Sequence, residues 1–242
     1  MKPVCVSTWG DSRKYFDSFL ETAHRNGIEP VNADNAIWPG TTWQDIEWFR
    51  KSQAQARFVR EHINDFTHFM FTDSYDVVFA AGWDEIIEKY ERYDSPIVFA
   101  SECWPWPQEL QADLYPKTPH RCKYLNAGMW IGTASAAMAL LTDIEAVAAK
   151  RIQCDQGIAV DAFLSGRHPI NLDTSCSLCF CCNIDSLKYL DLNGRPKTTD
   201  TGEEPCMFHG NGGSDLSGII GALNRLPRLW KPTPEEMVRM AE

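Results

Sequence analysis

Apolar and polar residues alternate along this chain in two distinct patterns. Short apolar runs rich in β-branched and aromatic residues predict strands, and longer segments with apolar residues at helical spacing predict helices. Strands are predicted at PVCVST (3–8), IEPVN (28–32), HFMFT (68–72), PIVFAS (96–101), MWIGT (129–133) and HPINLD (168–173). Helices are predicted at 13–27, 43–63, 84–93 with Asp84 as a candidate N-cap, 135–150, 155–166 and 233–242.

The order of these elements predicts the fold class. Strands that alternate with helices form a sheet covered on both faces, so an α/β fold with a central mixed, mostly parallel sheet is expected. No repeat or Ser/Gly-rich linker divides the 242 residues, which favours one domain over 1–225, followed by a linker and short helix over 226–242. Ligands of such sheets bind beyond the carboxyl ends of the strands, where a crevice is therefore expected.

Net charge, apolar runs and cysteine content indicate which partners and which cellular compartment to expect. A formal net charge of −10 argues against broad, nonspecific nucleic-acid binding. The first residues lack the apolar run of a signal peptide, and no later run reaches membrane-spanning length. Nine cysteines, an odd number in a chain long enough to fold without cross-links, are interpreted as mostly reduced thiols. These features predict a soluble, cytoplasmic protein with no membrane partner.

The tract CSLCFCC (176–182) places four cysteines close together. Thiolates at this density can bind zinc in a tetrahedral site, but a second, well-spaced cysteine pair is missing. Because apolar Leu178 and Phe180 alternate with the cysteines, a β segment whose thiols act as small hydrophobic groups is the favoured interpretation.

Two aspartates follow the apolar strand HFMFT directly, at Asp73 and Asp76. Two carboxylates three positions apart in a bend can point at one spot, where they repel each other unless a cation lies between them. Hard oxygen ligands suit Mg²⁺ or Mn²⁺, and a metal there would neutralise charge on a departing phosphate. On the spacing alone, two turn residues that cap backbone amides are the favoured interpretation.

A second candidate element is MFHGNGG (207–213), in which two apolar residues precede His209. Glycines allow backbone amides to approach phosphate oxygens, and Ser214 is a candidate cap for a helix that follows. His209 is a candidate ligand for the same cation, in which case Mn²⁺ is favoured over Mg²⁺ because imidazole is a softer donor. The alternative is an ordinary turn histidine.

Taken in order, several blocks resemble one known family. FTDSYDVVFAAG, FASECWPWPQEL, KYLNAGMWIG, DQ before a helix, INLD and HGNG occur in the order found in the glycosyltransferase domain of procollagen lysyl hydroxylases. The resemblance covers about residues 1 to 225 and implies a GT-A-type (Rossmann-like) nucleotide-sugar-binding fold. It also implies a Mn²⁺-dependent transfer of a hexose from a UDP-sugar, UDP-glucose or UDP-galactose, to a hydroxyl acceptor.

The resemblance further implies roles for individual residues. Asp73, Asp76 and His209 match the family's metal ligands, and Thr8 and Tyr75 match positions near the uridine. Asn211 and Gly212 match the turn that contacts the diphosphate. Asn126 and Asp155 match positions near the donor sugar and acceptor, and Trp104 matches the aromatic residue of a mobile loop over the sugar. From the residues alone, Asn126 also fits a turn, Asp155 a helix N-cap, and Trp106 the packed core.

Three departures from the family pattern are visible. The acidic run before DQ is reduced to QCDQ, so that only Asp155 remains to handle the acceptor. A lysine expected in the helix before the DSYD block falls on Gln55, with Arg57 and Lys51 as possible substitutes. The sequence after LPRLWKP predicts one short helix, so an oxygenase domain is not expected to follow.

Two other function classes remain open at the sequence level. A metal-dependent phosphoesterase can use the same two aspartates and histidine, and a non-catalytic module can bind a nucleotide or carbohydrate without turnover. The acceptor is open as well, since a hydroxylysine-like residue, a glycan or a hydroxymethylated pyrimidine in DNA each offers a hydroxyl group. Stereochemistry and oligomeric state do not follow from the sequence.

Overall fold

A mixed sheet of nine strands lies at the centre of the computed structural model, which describes residues 1–10, 14–34, 47–148, 154–183 and 186–226, without the side chains of 47–50 and 148. The strands of this sheet are β1 (Lys2–Ser7), β2 (Pro30–Asn32), β3 (Phe66–Thr72), β4 (Val77–Phe79), β5 (Ile97–Glu102), β6 (Tyr124–Thr133), β7 (Ile170–Asp173), β8 (Cys179–Cys181) and β11 (Met207–His209). A separate two-stranded ribbon consists of β9 (Leu190–Asp191) and β10 (Lys197–Thr198).

The sheet topology confirms the predicted α/β, GT-A-type fold. The strand order is β2-β1-β3-β6-β5-β8-β11-β4, and β7 pairs with β5. Five of these strand pairings are parallel. The antiparallel pairings involve β6, which lies between β3 and β5, and β4, which pairs with β11.

Six helices pack on this sheet in the described part of the chain: α1 (Phe16–Arg25), α2 (Glu47–His62), α3 (Trp83–Glu91), α4 (Ala134–Ala148), α5 (Asp155–Leu164) and α6 (Ser217–Asn224). The expected cap at Asp84 is wrong, because Gly82 is the N-cap of α3 and Asp84 lies in the first turn. An acidic side chain still suits that turn, since it faces the positive end of the helix dipole. The helix predicted at 233–242 lies outside the described residues. No described helix combines the length and apolarity needed to cross a membrane.

Alternate side chains of the strands fill cores on opposite faces of the sheet. In β3, Phe69 and Phe71 pack in one cluster with residues of α2, α4 and α5, while Met70 packs in another with residues of α1 and α3. In β8, Cys179 and Cys181 face that second cluster and Phe180 faces a third. The tract therefore contains the predicted β segment, and its thiols are buried.

Two features of the sheet were not predicted from the sequence. Strand β4 was missed because it has only three residues and follows Asp76 directly. Strand β6 begins at Tyr124, so Asn126 lies in a strand and not in a turn. The pairing of β5 with β6 shifts its register between Phe99 and Ala100, so that Asn126 pairs with Ala100 and does not lie beyond the end of β5.

Candidate active site

A cavity of about 530 Å³ lies at the end of the sheet where β1, β3, β5 and β11 finish. Glycines and aromatic side chains line it together with four carboxylates, two lysines and one histidine. All ten residues that the sequence analysis assigned to metal, nucleotide, sugar or acceptor line this cavity: Thr8, Asp73, Tyr75, Asp76, Trp104, Asn126, Asp155, His209, Asn211 and Gly212.

Asp73, Asp76 and His209 meet at one point of the cavity. Asp73 follows β3, Asp76 precedes β4, and His209 ends β11. The antiparallel pairing of β4 with β11 sets His209 opposite Val77, and the amide of Gly210 donates to the carbonyl of Asp76 at 2.7 Å. The His209 Nε2 atom lies 3.4 Å from Asp73 Oδ2 and 3.6 Å from Asp76 Oδ1.

The other ring nitrogen of His209 is fixed by an amide. His209 Nδ1 lies 3.0 Å from Asn126 Oδ1, which also accepts a hydrogen bond from the backbone amide of Gly128 at 2.9 Å. Because an amide oxygen only accepts, Nδ1 carries a proton and Nε2 faces the two carboxylates. A Cβ atom on Gly128 would lie 2.1 Å from Cε1 of the ring, so only glycine leaves room for this imidazole.

Opposite charges hold this group together. Burial alone would lower the pKa of His209, but the hydrogen bonds that its ring donates to Asp73 and Asp76 and the charges of these carboxylates raise it well above its ordinary value. Burial likewise opposes the charge on Lys51, yet Asp155 and Asp73 raise its pKa. Burial would raise the pKa of Asp73, and Lys51 and His209 together lower it strongly. The carboxylate of Asp73 is thus held ionised by neighbouring cations.

Of the two lysines that line the cavity, Lys14 and Lys51, Lys51 lies in the helix that precedes the DSYD block. Its Nζ atom lies 2.5 Å from Asp73 Oδ1 and 2.9 Å from Asp155 Oδ2. Gln55, the position on which the expected lysine falls, is buried and does not line the cavity, whereas Lys51, one of the possible substitutes, does. Arg57 donates to the carbonyl of Ala33 and does not line it either. Lys51 precedes Gln55 by one helical turn and lies on the same face of α2, a signal that the sequence offered.

A buried carboxylate that was not predicted organises a second wall of the cavity. Glu102, the last residue of β5, is 4% exposed. Its Oε1 accepts hydrogen bonds from Asn126 at 3.0 Å and Gln156 at 2.8 Å. Its Oε2 accepts from Asn183 at 3.2 Å and Asn211 at 2.9 Å. One carboxylate therefore fixes four amide side chains that line the cavity.

The aromatic segment beside Glu102 is exposed at the mouth of the cavity. Trp104 is 57% exposed and its Nε1 donates to Glu109 Oε1 at 3.2 Å. Trp106 is 43% exposed and lines the cavity, so its assignment to the packed core is wrong. The backbone carbonyl of Trp106 accepts a hydrogen bond from Gln156 at 2.8 Å, which ties this segment to α5.

Backbone groups take part in the hydrogen bonds of two other predicted site residues, Thr8 and Tyr75. The Thr8 carbonyl accepts a hydrogen bond from Ser74 Oγ at 2.8 Å, and the Tyr75 hydroxyl accepts one from the amide of Gly10 at 3.0 Å. Gly212 has φ +68°, a left-handed conformation that suits glycine, in the 3₁₀ turn Asn211–Gly213.

Two expected helix caps are wrong. Leu216, not Ser214, precedes α6, and the Ser214 hydroxyl donates to the carbonyl of Asn211. Cys154 is the N-cap of α5, with Asp155 as the first helical residue. Asp155 can therefore direct one carboxylate oxygen at Lys51 while the other accepts from the amide of Gln156.

The donor set fits a divalent cation. Asp73, Asp76 and His209 offer two carboxylate oxygens and one imidazole nitrogen that all lie within 4.8 Å of one another. Among the described residues, no other group of histidine, cysteine or acidic side chains meets this geometry. Carboxylate and imidazole ligands together suit Mn²⁺. Near the cation site, Asn211 Oδ1 is buried without a hydrogen-bond partner among the described residues, so a ligand hydroxyl group can bind there.

Comparison with known proteins identifies the family. The family described as the PLOD GT domain matches residues 11–235. Procollagen-lysine,2-oxoglutarate 5-dioxygenase 1 of Mus musculus is 31% identical over 172 residues, which is 66% of this chain and 23% of that protein. Multifunctional procollagen lysine hydroxylase and glycosyltransferase LH3 of Pongo abelii is 26% identical over 201 residues, which is 78% of this chain and 26% of that protein.

A solved structure supports the same fold. The crystal structure of a glycosyltransferase involved in the glycosylation of the major capsid of PBCV-1 matches with a TM-score of 0.55 and 11% identity, over 93% of this chain and 100% of that one. At that identity the likeness concerns the fold alone. The chain spans about a quarter or less of the length of the curated relatives. It belongs to the PLOD GT domain family, the glycosyltransferase domains of the procollagen lysyl hydroxylases.

Proposed function

We propose that this glycosyltransferase domain uses Mn²⁺ to transfer a hexose from UDP-glucose or UDP-galactose to a hydroxyl acceptor. One observation carries the proposal: Asp73, Asp76 and His209 converge on one point of a cavity that is large enough for a nucleotide sugar. When bound there, the cation would stabilise negative charge on the departing UDP.

Different residues would hold the cation and place positive charge beside the diphosphate. Asp73, Asp76 and His209 would hold the cation, with Asn126 keeping the Nε2 atom of His209 turned toward it. Lys51 is close enough to Asp73 to place a second positive charge beside the diphosphate. Removing either charge would leave the leaving group less stabilised in the transition state.

The remaining side chains would position donor and acceptor. Thr8 and Tyr75, which line the cavity, would contact the uridine, and Asn211 and Gly212, which also line it, would contact the diphosphate. Asn126 would contact the donor sugar, and Trp104 would cover it from the mouth of the cavity. Asp155 would orient the acceptor hydroxyl by accepting its hydrogen bond, which places the nucleophile near the anomeric carbon.

The acceptor is proposed by class only. A hydroxylysine-like side chain follows from the family, and a glycan or a hydroxymethylated pyrimidine in DNA offers equivalent chemistry. A net charge of −10 disfavours long contacts with a DNA backbone. A mass increase of one hexose on a peptide, a glycan or a DNA acceptor separates the three.

Released UDP is the direct test. With Mn²⁺ and UDP-glucose or UDP-galactose, the parent protein is expected to release UDP and transfer the hexose to an acceptor. Asp73→Asn is expected to lose this activity, while Asp65→Asn, at the other end of β3 and far from the cavity, is expected to keep it. Equal activity of both variants would contradict the proposed site.

Two further measurements address the rival classes. A phosphoesterase would hydrolyse a phosphomonoester such as p-nitrophenyl phosphate without any nucleotide sugar. A non-catalytic module would bind UDP in the presence of Mn²⁺ yet release no UDP from any donor. The proposal predicts turnover of a UDP-sugar and no hydrolysis of the phosphomonoester.

A further inference from the structure

Two cysteines contact each other beside the mouth of the cavity. Cys103 Sγ and Cys122 Sγ are 3.2 Å apart although the residues are far apart in sequence. A disulfide requires about 2.05 Å between the sulfurs, so closing the bond needs an approach of roughly 1 Å. This thiol pair takes no part in the chemistry proposed above.

The backbone holds the two residues next to each other. Cys103 follows the end of β5 and Cys122 comes shortly before the start of β6, two strands that pair up to Glu102 and Tyr124. The amide of Lys123 donates to the carbonyl of Glu102 at 3.1 Å, which extends this pairing toward the thiols. The pair is therefore fixed by the sheet, and little chain movement is needed to join the sulfurs.

The two thiols differ in their access to solvent. Cys122 is 1% exposed, whereas Cys103 is partly exposed and contacts the Arg121 guanidinium. A small oxidant can therefore reach Cys103 first, and Cys122 is placed to react next. The hydrogen bond with Cys122 and then burial raise the pKa of Cys103, so the exchange is expected to be slow at neutral pH.

The chain between these cysteines carries the aromatic residues of the cavity mouth. Segment 103–122 contains Trp104 and Trp106, together with Leu110 and Leu114, which are strongly exposed. Gln108 donates to Gly157 and Asp161, and the buried side chain of Tyr115 packs in the core, so the segment is attached at several points between its two ends. A covalent bond between its two ends would restrict the movement of Trp104, the neighbour of Cys103.

We propose that Cys103 and Cys122 form a reversible disulfide that fastens segment 103–122 beside the cavity. Oxidised glutathione, as a low-molecular-weight disulfide, serves as the oxidant. The Cys103 thiolate attacks one of its sulfurs and breaks that S–S bond, giving a mixed disulfide and one glutathione. The Cys122 sulfur then attacks the Cys103 sulfur and releases the second glutathione. Two electrons pass to glutathione, and the two cysteine protons end on the two glutathione thiols.

The first test is chemical and independent of any enzymatic activity. The full chain is incubated for hours with oxidised glutathione, its remaining thiols are alkylated, and its peptides are mapped by mass spectrometry. The expected product is a peptide pair that joins Cys103 to Cys122, absent after treatment with a reductant. Cys122→Ser and Cys103→Ser should each lack the pair, and Cys206→Ser, a buried thiol elsewhere in the fold, should retain it.

The second test measures the mobility of segment 103–122. Lys117 is exposed within the segment, so trypsin cleavage there reports local opening. Cleavage is expected to slow several-fold in the oxidised parent protein and not in Cys122→Ser. A lower KM for the UDP-sugar in the oxidised form would be the functional consequence, and this part alone rests on the proposed transferase activity.

Other outcomes would overturn the proposal. Nine alkylated cysteines after oxidation, a stable glutathione adduct on Cys103, or a bond from Cys122 to its other neighbour Cys176 would each contradict the pairing. An unchanged cleavage rate at Lys117 despite the expected disulfide would contradict the fastening of the segment. None of these results depends on the identity of the donor or acceptor.

Discussion

The two walls of the cavity use carboxylates in opposite ways. On one wall, Asp73 and Asp76 face charged partners, the imidazole of His209 and the ammonium group of Lys51. On the other wall, Glu102 accepts hydrogen bonds from four side-chain amides. A metal ion can replace the imidazole proton and the lysine ammonium group as the positive partner of the two aspartates. The four amide donors are neutral and are held in place by Glu102. The first wall is suited to exchange cations, and the second to keep a fixed shape.

Asn126 connects the two walls. Its Nδ2 atom donates to Glu102, and its Oδ1 atom faces Nδ1 of His209. The wall with Asp73 and Asp76 is called the cation wall, and the wall organised by Glu102 is called the amide wall. Variants can therefore be chosen that affect the cation wall, the contact of Asn126 with His209, or the amide wall. Measuring Mn²⁺ affinity and kcat separately then shows whether the walls act independently.

The largest effect is expected from Asp76→Asn on the cation wall. The substitution removes a ligand charge while preserving the size of the side chain, and a metal contributes several kcal/mol to such reactions, so kcat/KM is expected to fall at least about 100-fold. Mn²⁺ titration by calorimetry should show a parallel loss of affinity. Asp215→Asn, which replaces an aspartate outside the cavity lining, is the control. Equal kcat/KM and Mn²⁺ affinity in the two variants would contradict the assignment of Asp76 to the cation site.

Gly128→Ala tests the position of His209 without removing any ligand. The new Cβ atom would meet the imidazole ring at 2.1 Å and displace it from Asn126. Loss of such a supporting contact is expected to lower Mn²⁺ affinity about 10- to 100-fold. Gly218→Ala is the matched control, because its Cβ atom would meet Leu192 only at 3.5 Å. Unchanged affinity in Gly128→Ala would mean that the imidazole is not a ligand.

Glu102→Gln tests the amide wall. Whichever way the new amide turns, two of the four donors face an NH₂ group and lose their acceptor. We expect kcat to fall about 10-fold or more, with a smaller change in Mn²⁺ affinity because only Asn126 reaches the cation wall. Glu88→Gln, an exposed carboxylate on α3, controls for the loss of charge. Equal losses of Mn²⁺ affinity and kcat would show that the walls are not separable.

The smallest effect is expected from Lys51→Met. Removing the ammonium group frees Asp73 from a competing cation, so Mn²⁺ affinity should rise slightly, whereas kcat/KM for the UDP-sugar should fall about tenfold because the departing diphosphate loses a charged partner. Arg57→Met on the same helix is the control, since Arg57 bonds a backbone carbonyl outside the cavity. A loss of Mn²⁺ affinity in Lys51→Met would contradict this account.

The same contrast explains what the sequence could predict. Asp73 directly follows strand β3 and lies in an acidic bend, and His209 ends strand β11 before a glycine-rich bend. Such local patterns can be recognised in the sequence alone. Glu102 also ends an apolar strand, so the same rule could have selected it. Its four partners come from separate parts of the chain, and only the packed sheet shows that they converge on one carboxylate.

Pairing details account for the errors. The short strand β4 brings Asp76 to His209, but three residues are too few for a periodic pattern. The register shift opposite Phe99 places Asn126 in the site, and no local signal announces such a shift. Helix caps were misassigned because Gly82 and Cys154 occupy the cap positions, although Asp84 and Asp155, which are stronger capping residues, lie nearby in the sequence.

The central claim is that Asp73, Asp76 and His209 bind one Mn²⁺ that in turn binds UDP. Anomalous diffraction from a crystal soaked with Mn²⁺ and UDP tests it most directly. The predicted result is one manganese peak at about 2.0–2.3 Å from an oxygen of each aspartate and from Nε2 of His209, with the diphosphate completing the coordination. A manganese peak elsewhere, with these three side chains still paired to each other and to Lys51, would contradict the claim.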